Sequence, residues 1–232
     1  MTRFFVILFF SLCINLIHAQ TDSLLKEVIT HYDDGSIKER KHTKYDELSG
    51  TYELYYKNGK KKSEGIYKFD KRDGRWKDFF EDGRLNINCY YSNGLLEGDY
   101  KEYFHNGLIH IKTTFKTGSL YGKYVKYYEN GYKKCEGLYK NNQKQGRWTY
   151  YLKDGSKYIE SEYLNGMLHG TSRAFYNNGQ VKYEVEYLSG YKSIQKIFNS
   201  GGDLIQTDTI KKEVPVLITE PDTLNKSGEE TE

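Results

Sequence analysis

The chain has 232 residues and a formal net charge of +3, from 35 Lys and Arg against 32 Asp and Glu. Its 37% hydrophobic content includes 24 Tyr; with 22 Gly, 2 Pro and 2 Met, this excludes a thick aliphatic core, Pro-rich linkers and a Met-rich groove. Aromatics at 16% exclude disorder over most of the length.

Residues 1–20 (MTRFFVILFFSLCINLIHAQ) carry one cation, Arg3, then an apolar run from Phe4 to Ile17, then Ala19. That order is a secretory signal with cleavage near Ala19 or Gln20. The run is short for a membrane span, which needs about 20 residues. Bulky Leu12 before Cys13 does not fit a lipoprotein box. The mature chain is therefore expected to be exported, to the periplasm or cell envelope. Residues 21–30 read as a lead-in.

Over residues 31–202 the chain repeats with a step of 24. Gly35, Gly59, Gly83, Gly107, Gly131, Gly155 and Gly179 keep that step, as do Gly50, Gly74, Gly98, Gly122, Gly146 and Gly170. Two ring series share it: Tyr55, Phe79, Tyr103, Tyr127, Tyr151, Phe175, and Tyr67, Tyr91, Phe115, Tyr139, Tyr163, Tyr187. Asn or Asp precedes every glycine of the first series, which predicts two-residue type I′ hairpin turns. A second turn per unit falls at Asn93-Gly94, Thr117-Gly118, Asn141-Asn142, Asn165-Gly166 and Ser189-Gly190, with Phe69-Asp70 expected to be irregular.

Counting back from a two-residue loop at Asn58-Gly59 places Tyr52 opposite Gly65. The same rule sets Trp76 against Cys89, Tyr100 against Thr113, Tyr124 against Gly137 and Trp148 against Ser161, and then Ser172 against Val185. A large ring faces a small residue in each of the ring-bearing pairs, a known way to fill a sheet surface. Nearer the turns the rule pairs Phe80 with Leu85, Phe104 with Ile109 and Tyr176 with Val181. The series beginning at Tyr55 has the opposite parity and belongs to the other face.

The fold expected is all-β: an elongated single-layer antiparallel meander of about seven hairpin repeats, rising about 10 Å per repeat. On that spacing Cys89 and Cys135 stand about 19 Å apart, beyond the roughly 7 Å reach of a disulfide. They are expected to be separate, partly buried thiols. Phase fails after Gly190: Asn199-Ser200-Gly201 comes about two residues early and Ile194 sits at a glycine position, as in a degenerate capping unit. Residues 203–232 hold 8 acids and 3 Lys and read as a mostly disordered acidic tail, whose apolar run at 214–218 is available to cover the last sheet edge.

Units of the form G-x-[WY]-x-x-[YF]-[YF]-x-[ND]-G resemble the MORN repeat, specifically its bacterial variant. Gly122-Lys123-Tyr124-Val125-Lys126-Tyr127-Tyr128-Glu129-Asn130-Gly131 is a close match, and the segments opening at Gly74-Arg75-Trp76 and Gly146-Arg147-Trp148 match nearly as well. The resemblance covers residues 32–201. It implies a single-layer sheet without chemistry of its own. Proteins with this variant include YwqK-type antitoxins, and eukaryotic relatives are associated with membrane attachment, lipid contact and scaffolding.

The sequence contains no G-x-S-x-G elbow, phosphate loop, dinucleotide fingerprint, C-x-x-C pair or H-E-x-x-H. No enzyme activity, cofactor or metal is expected. His105 and His110 flank one turn and could approach each other, but two imidazoles without a third ligand make a weak metal site. Glu136, Glu160 and Glu184 share one repeat position among strand lysines, as solvated residues do. Cations interleaved with rings also describe a single-strand binder; export argues against nucleic acid. The partner expected first is a protein, with anionic lipid or envelope polysaccharide as electrostatic alternatives. Lys60, Lys61, Lys62, Lys133 and Lys134 cluster at turns, where solubility explains them as well as binding does. The candidate binding residues are Tyr103, Tyr127, Tyr151, Lys126 and Lys133. The function expected is an exported binding or scaffold module; the alternative is an antitoxin or immunity-type protein that neutralises a cognate toxin.

Overall fold

Tyr, Thr, Val and Trp favour a pleated backbone. In the computed structural model, which describes residues 24–209, the segments between turns are strands. There are 18 strands and no helix among the described residues, and they fall in two compact units. The first unit runs to Lys134 and includes Tyr139–Asn142. It contains β1 (Lys26–His31), β2 (Ile37–Lys44), β3 (Glu47–Tyr55), β4 (Lys61–Lys68), β5 (Lys71–Phe79) and β6 (Leu85–Ser92). It continues with β7 (Leu95–Leu96), β8 (Gly98–Tyr103), β9 (Ile109–Lys116), β10 (Ser119–Leu120) and β11 (Gly122–Tyr127). The second unit takes Cys135–Leu138 from β12 (Lys133–Lys140), and everything from Gln143 on. Its strands are β13 (Gln143–Tyr151), β14 (Lys157–Leu164), β15 (Met167–Phe175), β16 (Val181–Leu188), β17 (Tyr191–Phe198) and β18 (Leu204–Thr209).

Within each unit the strands pair antiparallel with their sequence neighbours, from β1–β2 through β9–β11 and from β13–β14 through β17–β18. This is the meander that the repeat predicts, and each unit is one layer. Paired strands begin at Lys26, inside the stretch read as a lead-in, and end at Thr209, inside the stretch read as acidic tail. The signal at 1–20 and the apolar run at 214–218 lie outside the described residues.

The two turn series have distinct conformations, and the type I′ assignment of the first is overturned. At Asn58-Gly59 only the glycine has positive φ, 80°. Gly59 N–H donates to Tyr56 C=O at 3.0 Å, and Tyr56 N–H donates to Lys60 C=O at 2.9 Å. This is a type I turn followed by a left-handed glycine, a three-residue loop. The same turn recurs at Gly35, Gly83, Gly107, Gly131, Gly155 and Gly179. Type I′ geometry belongs to the second series: Asn93 and Gly94 have φ of 51° and 83°, and Phe69 and Asp70 have 50° and 59°. Phe69-Asp70 is thus regular, not irregular. The left-handed cost for a residue with a Cβ is about 1–2 kcal/mol. Asp70 offsets it by accepting Leu48 N–H on Oδ1 at 2.7 Å, and Asn142 does the same for Leu120 N–H at 2.7 Å.

The longer loop moves the near-turn pairs by one: Phe79 faces Leu85, Tyr103 faces Ile109 and Phe175 faces Val181, replacing the predicted Phe80, Phe104 and Tyr176 pairs. A bulge then absorbs the offset. Farther from the turn Tyr52 faces Gly65, Trp76 faces Cys89, Tyr100 faces Thr113, Trp148 faces Ser161 and Ser172 faces Val185, as counted. At the last hairpin Gly202, not Gly201, takes the positive φ, so that turn slips one residue rather than two.

Hairpins are tied along both turn edges. Gly94 N–H donates to Arg72 C=O at 2.9 Å and Gly190 N–H to Leu168 C=O at 2.7 Å, extending the ladder past the strand ends. At the other edge Asn58 Nδ2 reaches Glu81 C=O, Asn106 Nδ2 reaches Glu129 C=O, and Tyr56 Oη donates to Phe79 C=O. An Asp at the Asn position has no N–H for this tie.

The core is a row of rings on one face. Trp76 and Trp148 are each 1% exposed. The Trp76 indole lies on the backbone of Gly65, and its Nε1–H donates to Ile66 C=O at 3.1 Å. Trp148 repeats this on Gly137 and Leu138 C=O, also at 3.1 Å. Tyr67 and Tyr91 meet Trp76 edge-on at centroid distances of 5.1 and 6.1 Å. Cys89 and Cys135 form no disulfide, as expected, and are more deeply buried than expected, each 3% exposed; burial chiefly pushes the Cys89 thiol up to about 12.

A Cβ at Gly65 would stand 2.3 Å from the Trp76 ring, whereas one at Gly59 meets nothing within 4 Å. Gly65→Ala should cost about 3 kcal/mol through overpacking, and Gly59→Ala about 1 kcal/mol through its φ. Urea unfolding midpoints of the two variants check this ranking.

Candidate binding surface

Strand alternation that places Trp76 and Cys89 on the ring face places Lys77 and Asn88 on the other. In the first unit this second face carries one cross-strand row: Glu53, Glu64, Lys77, Asn88, Lys101 and Lys112. In the second unit the corresponding row is Thr149, Glu160, Arg173, Glu184 and Lys196.

Charge pairing organises both rows. Glu53 and Glu64 lie directly opposite, a repulsive arrangement, and Lys61 Nζ bridges them at 2.6 and 2.9 Å. Lys77 adds a 2.8 Å contact to Glu64. Lys77, ahead of Lys61 and against the opposing effect of burial, holds the Glu64 carboxyl below its ordinary value. Glu184 accepts from Lys196 at 2.9 Å and from Arg173 at 2.8 Å, and Lys196 leads in lowering its pKa. Lys61 is therefore part of the ladder, and Lys60 Nζ donates to Asp82 C=O at 2.7 Å.

Tyr103, Tyr127 and Tyr151 are half-buried. Tyr151 Oη donates to Glu136 Oε1 at 2.8 Å, and burial, ahead of that bond, pushes its hydroxyl up to about 12. Lys126 is half-buried opposite Ile111 on the ring face, so it and Tyr127, consecutive in β11, point to opposite sides. Lys133 is exposed at the start of β12. Tyr151 belongs to the second unit, the other four to the first. His105 and His110 do not share a site: His105 meets Asp82 at 2.9 Å, and His110 meets Glu102 at 2.9 Å.

The more exposed rings are ones that parity alone did not single out. Tyr45 (74%) and Phe69 (60%) sit in the first position of type I′ turns. Tyr90 is 40% exposed on the charged face, with the Arg75 guanidinium 5.4 Å from its centroid. Next to the Arg75–Tyr90 pair, Thr51, Glu53, Glu64, Ile66, Arg75 and Lys77 line a shallow depression of about 220 Å³. These groups offer cations, carboxylates and ring faces on an open sheet, which suits contact with an extended partner.

A family model described as MORN repeat variant matches residues 48–69 and 168–188. Each match covers a strand–turn–strand hairpin, β3–β4 and β15–β16. These matches support the MORN-repeat family, whose repeats are generally protein- or membrane-binding modules. No curated protein matches the chain.

Because Glu64 and Glu184 have folded pKa values below the ordinary 4.5, their stabilisation is complete above that pH and lost as pH falls through the lowered values. The thermal midpoint should be flat from neutral pH to about 5 and fall below about 4.5. Glu184→Gln should shallow that fall, measured by circular dichroism melts across pH.

Proposed function

We propose that this chain is an exported, non-enzymatic repeat protein that presents the charged face of its sheet to another macromolecule, a protein in the first place. One observation carries the reading: on that face Lys112, Arg75 and the Tyr90 ring are exposed, with Arg75 stacked on Tyr90. Tyr and Arg are the side chains that anchor protein interfaces most often. The general binding role of MORN repeats points the same way. Export rests on residues 1–20, whose basic start, apolar middle and small residue match a secretory signal.

Cross-linking in intact cells, followed by capture and separation into protein, lipid and glycan fractions, tests the binding role. Enrichment of a protein is expected. A single stoichiometric protein would fit an immunity-type pairing, and cross-links confined to lipid or glycan would contradict the reading. A reporter fused to residues 1–20 alone should leave the cytoplasm; retention there would remove export from the account.

A further inference from the structure

One repeat position holds Glu at 64, 136, 160 and 184, but Arg at 40, Asn at 88 and Lys at 112. Where Glu is present, it takes a partner. Glu64 pairs with Lys61 and Lys77, Glu160 with Lys157 at 3.1 Å, and Glu184 with Arg173 and Lys196. Arg40 is compensated, facing Glu53 across the strands and meeting Glu27 at 3.4 Å; the departures at 88 and 112 are consecutive, and both fall in the first unit. They leave Lys101 of β8 between Asn88 of β6 and Lys112 of β9, with the two lysines directly opposite each other.

Like charges directly opposite across strands are destabilising. Neither Lys101 nor Lys112 lies within ion-pair distance of an acid among the described residues. Asp99, two residues along β8 on the same face, faces Thr114 instead. Asn88 Oδ1 is buried and has no hydrogen-bond partner. A repeat that neutralises its cations in other units thus keeps an uncompensated pair here, which is where a local rule is broken for function rather than for folding. Rings flank the pair: Tyr90 lies two residues from Asn88, and Tyr103 two residues from Lys101, on the same face.

We infer that Lys101 and Lys112 anchor an acidic peptide segment of the partner, whose carboxylates take the places that Glu fills at 64, 160 and 184. This rests on the protein-binding role proposed above. The ligand chemistry follows from the repeat itself, since the missing group is a carboxylate carried on an extended chain that lies along the sheet. Cross-strand neighbours stand about 5 Å apart at Cβ, so both ammonium groups can reach one carboxylate or two successive ones.

The test restores the repeat. In the full chain, Asn88→Glu with Lys112→Glu supplies the absent acids beside Lys101 and Lys77. Binding of a short Glu/Ser peptide at low salt should weaken roughly fivefold or more, while the thermal midpoint stays or rises. Lys101→Gln, which adds no acid, should also weaken binding. The inference is overturned if the double variant binds the peptide as the parent does. It is equally overturned if the parent takes phosphatidylglycerol vesicles or inorganic phosphate but not the peptide. A double variant that still captures its protein partner in cells, with peptide binding unchanged, would sink this anchor and leave the broader binding role standing.

Discussion

A sheet with no second layer has to cover its own backbone, and here aromatic rings laid on glycine provide that cover. The indole of Trp76 rests on Gly65 and that of Trp148 on Gly137, each N–H closing onto the next carbonyl of the same strand. A cation lies against each indole: Arg72 at 4.3 Å from the Trp76 centroid and Lys144 at 4.6 Å from that of Trp148. Burying a ring of this size removes about 200 Å² from water, about 5 kcal/mol gross. Where the ring is Tyr100 or Tyr124, the residue eleven earlier is Cys89 or Thr113, and the residue four earlier is Leu96 or Leu120. The larger ring requires glycine beneath it and comes with a cation; the smaller one tolerates a side chain and comes with Leu.

With one face committed to rings, the alternate residues of every strand are left for charge. Their rows are close to self-neutralising, through Lys61 between two Glu in the first unit and through Arg173 and Lys196 around Glu184 in the second. Such rows keep an open sheet soluble and discourage association through its edges. Against that background Asn88, Lys101 and Lys112 stand out because folding alone does not call for them. The link from fold to function is therefore a departure from the repeat.

Much of this was legible in the sequence, since a step of 24 fixes which residues recur on each strand and face. Register away from the turns was also legible, although the turn type was not. Asn-Gly suits both a type I′ turn and a type I turn with a left-handed glycine, and the bulge beyond the longer loop restores the same count. Hence Trp76 against Cys89 was countable, whereas Phe79 against Leu85 was not. Phe69-Asp70 looked irregular because neither residue is glycine, yet the Asp70 carboxylate satisfies Leu48 N–H and stabilises the same turn. Parity assigned Tyr103, Tyr127 and Tyr151 to a face but could not give their exposure, which depends on neighbours such as Glu136. The glycine under each tryptophan was visible as the shared interval of eleven from Gly65 to Trp76 and from Gly137 to Trp148. The gap in the Glu series at 88 and 112 was readable too, though its meaning needed the register that sets Lys101 against Lys112.

The ring-on-glycine contact has a direct signature in the proton spectrum, because a proton above an aromatic face is shielded. In the native protein the Hα resonances of Gly65 and Gly137 should both be displaced well upfield of ordinary strand glycines, and should return on unfolding. Ordinary native shifts at both glycines would mean that the indoles do not lie on the backbone, and the account of how this single layer is covered would be wrong.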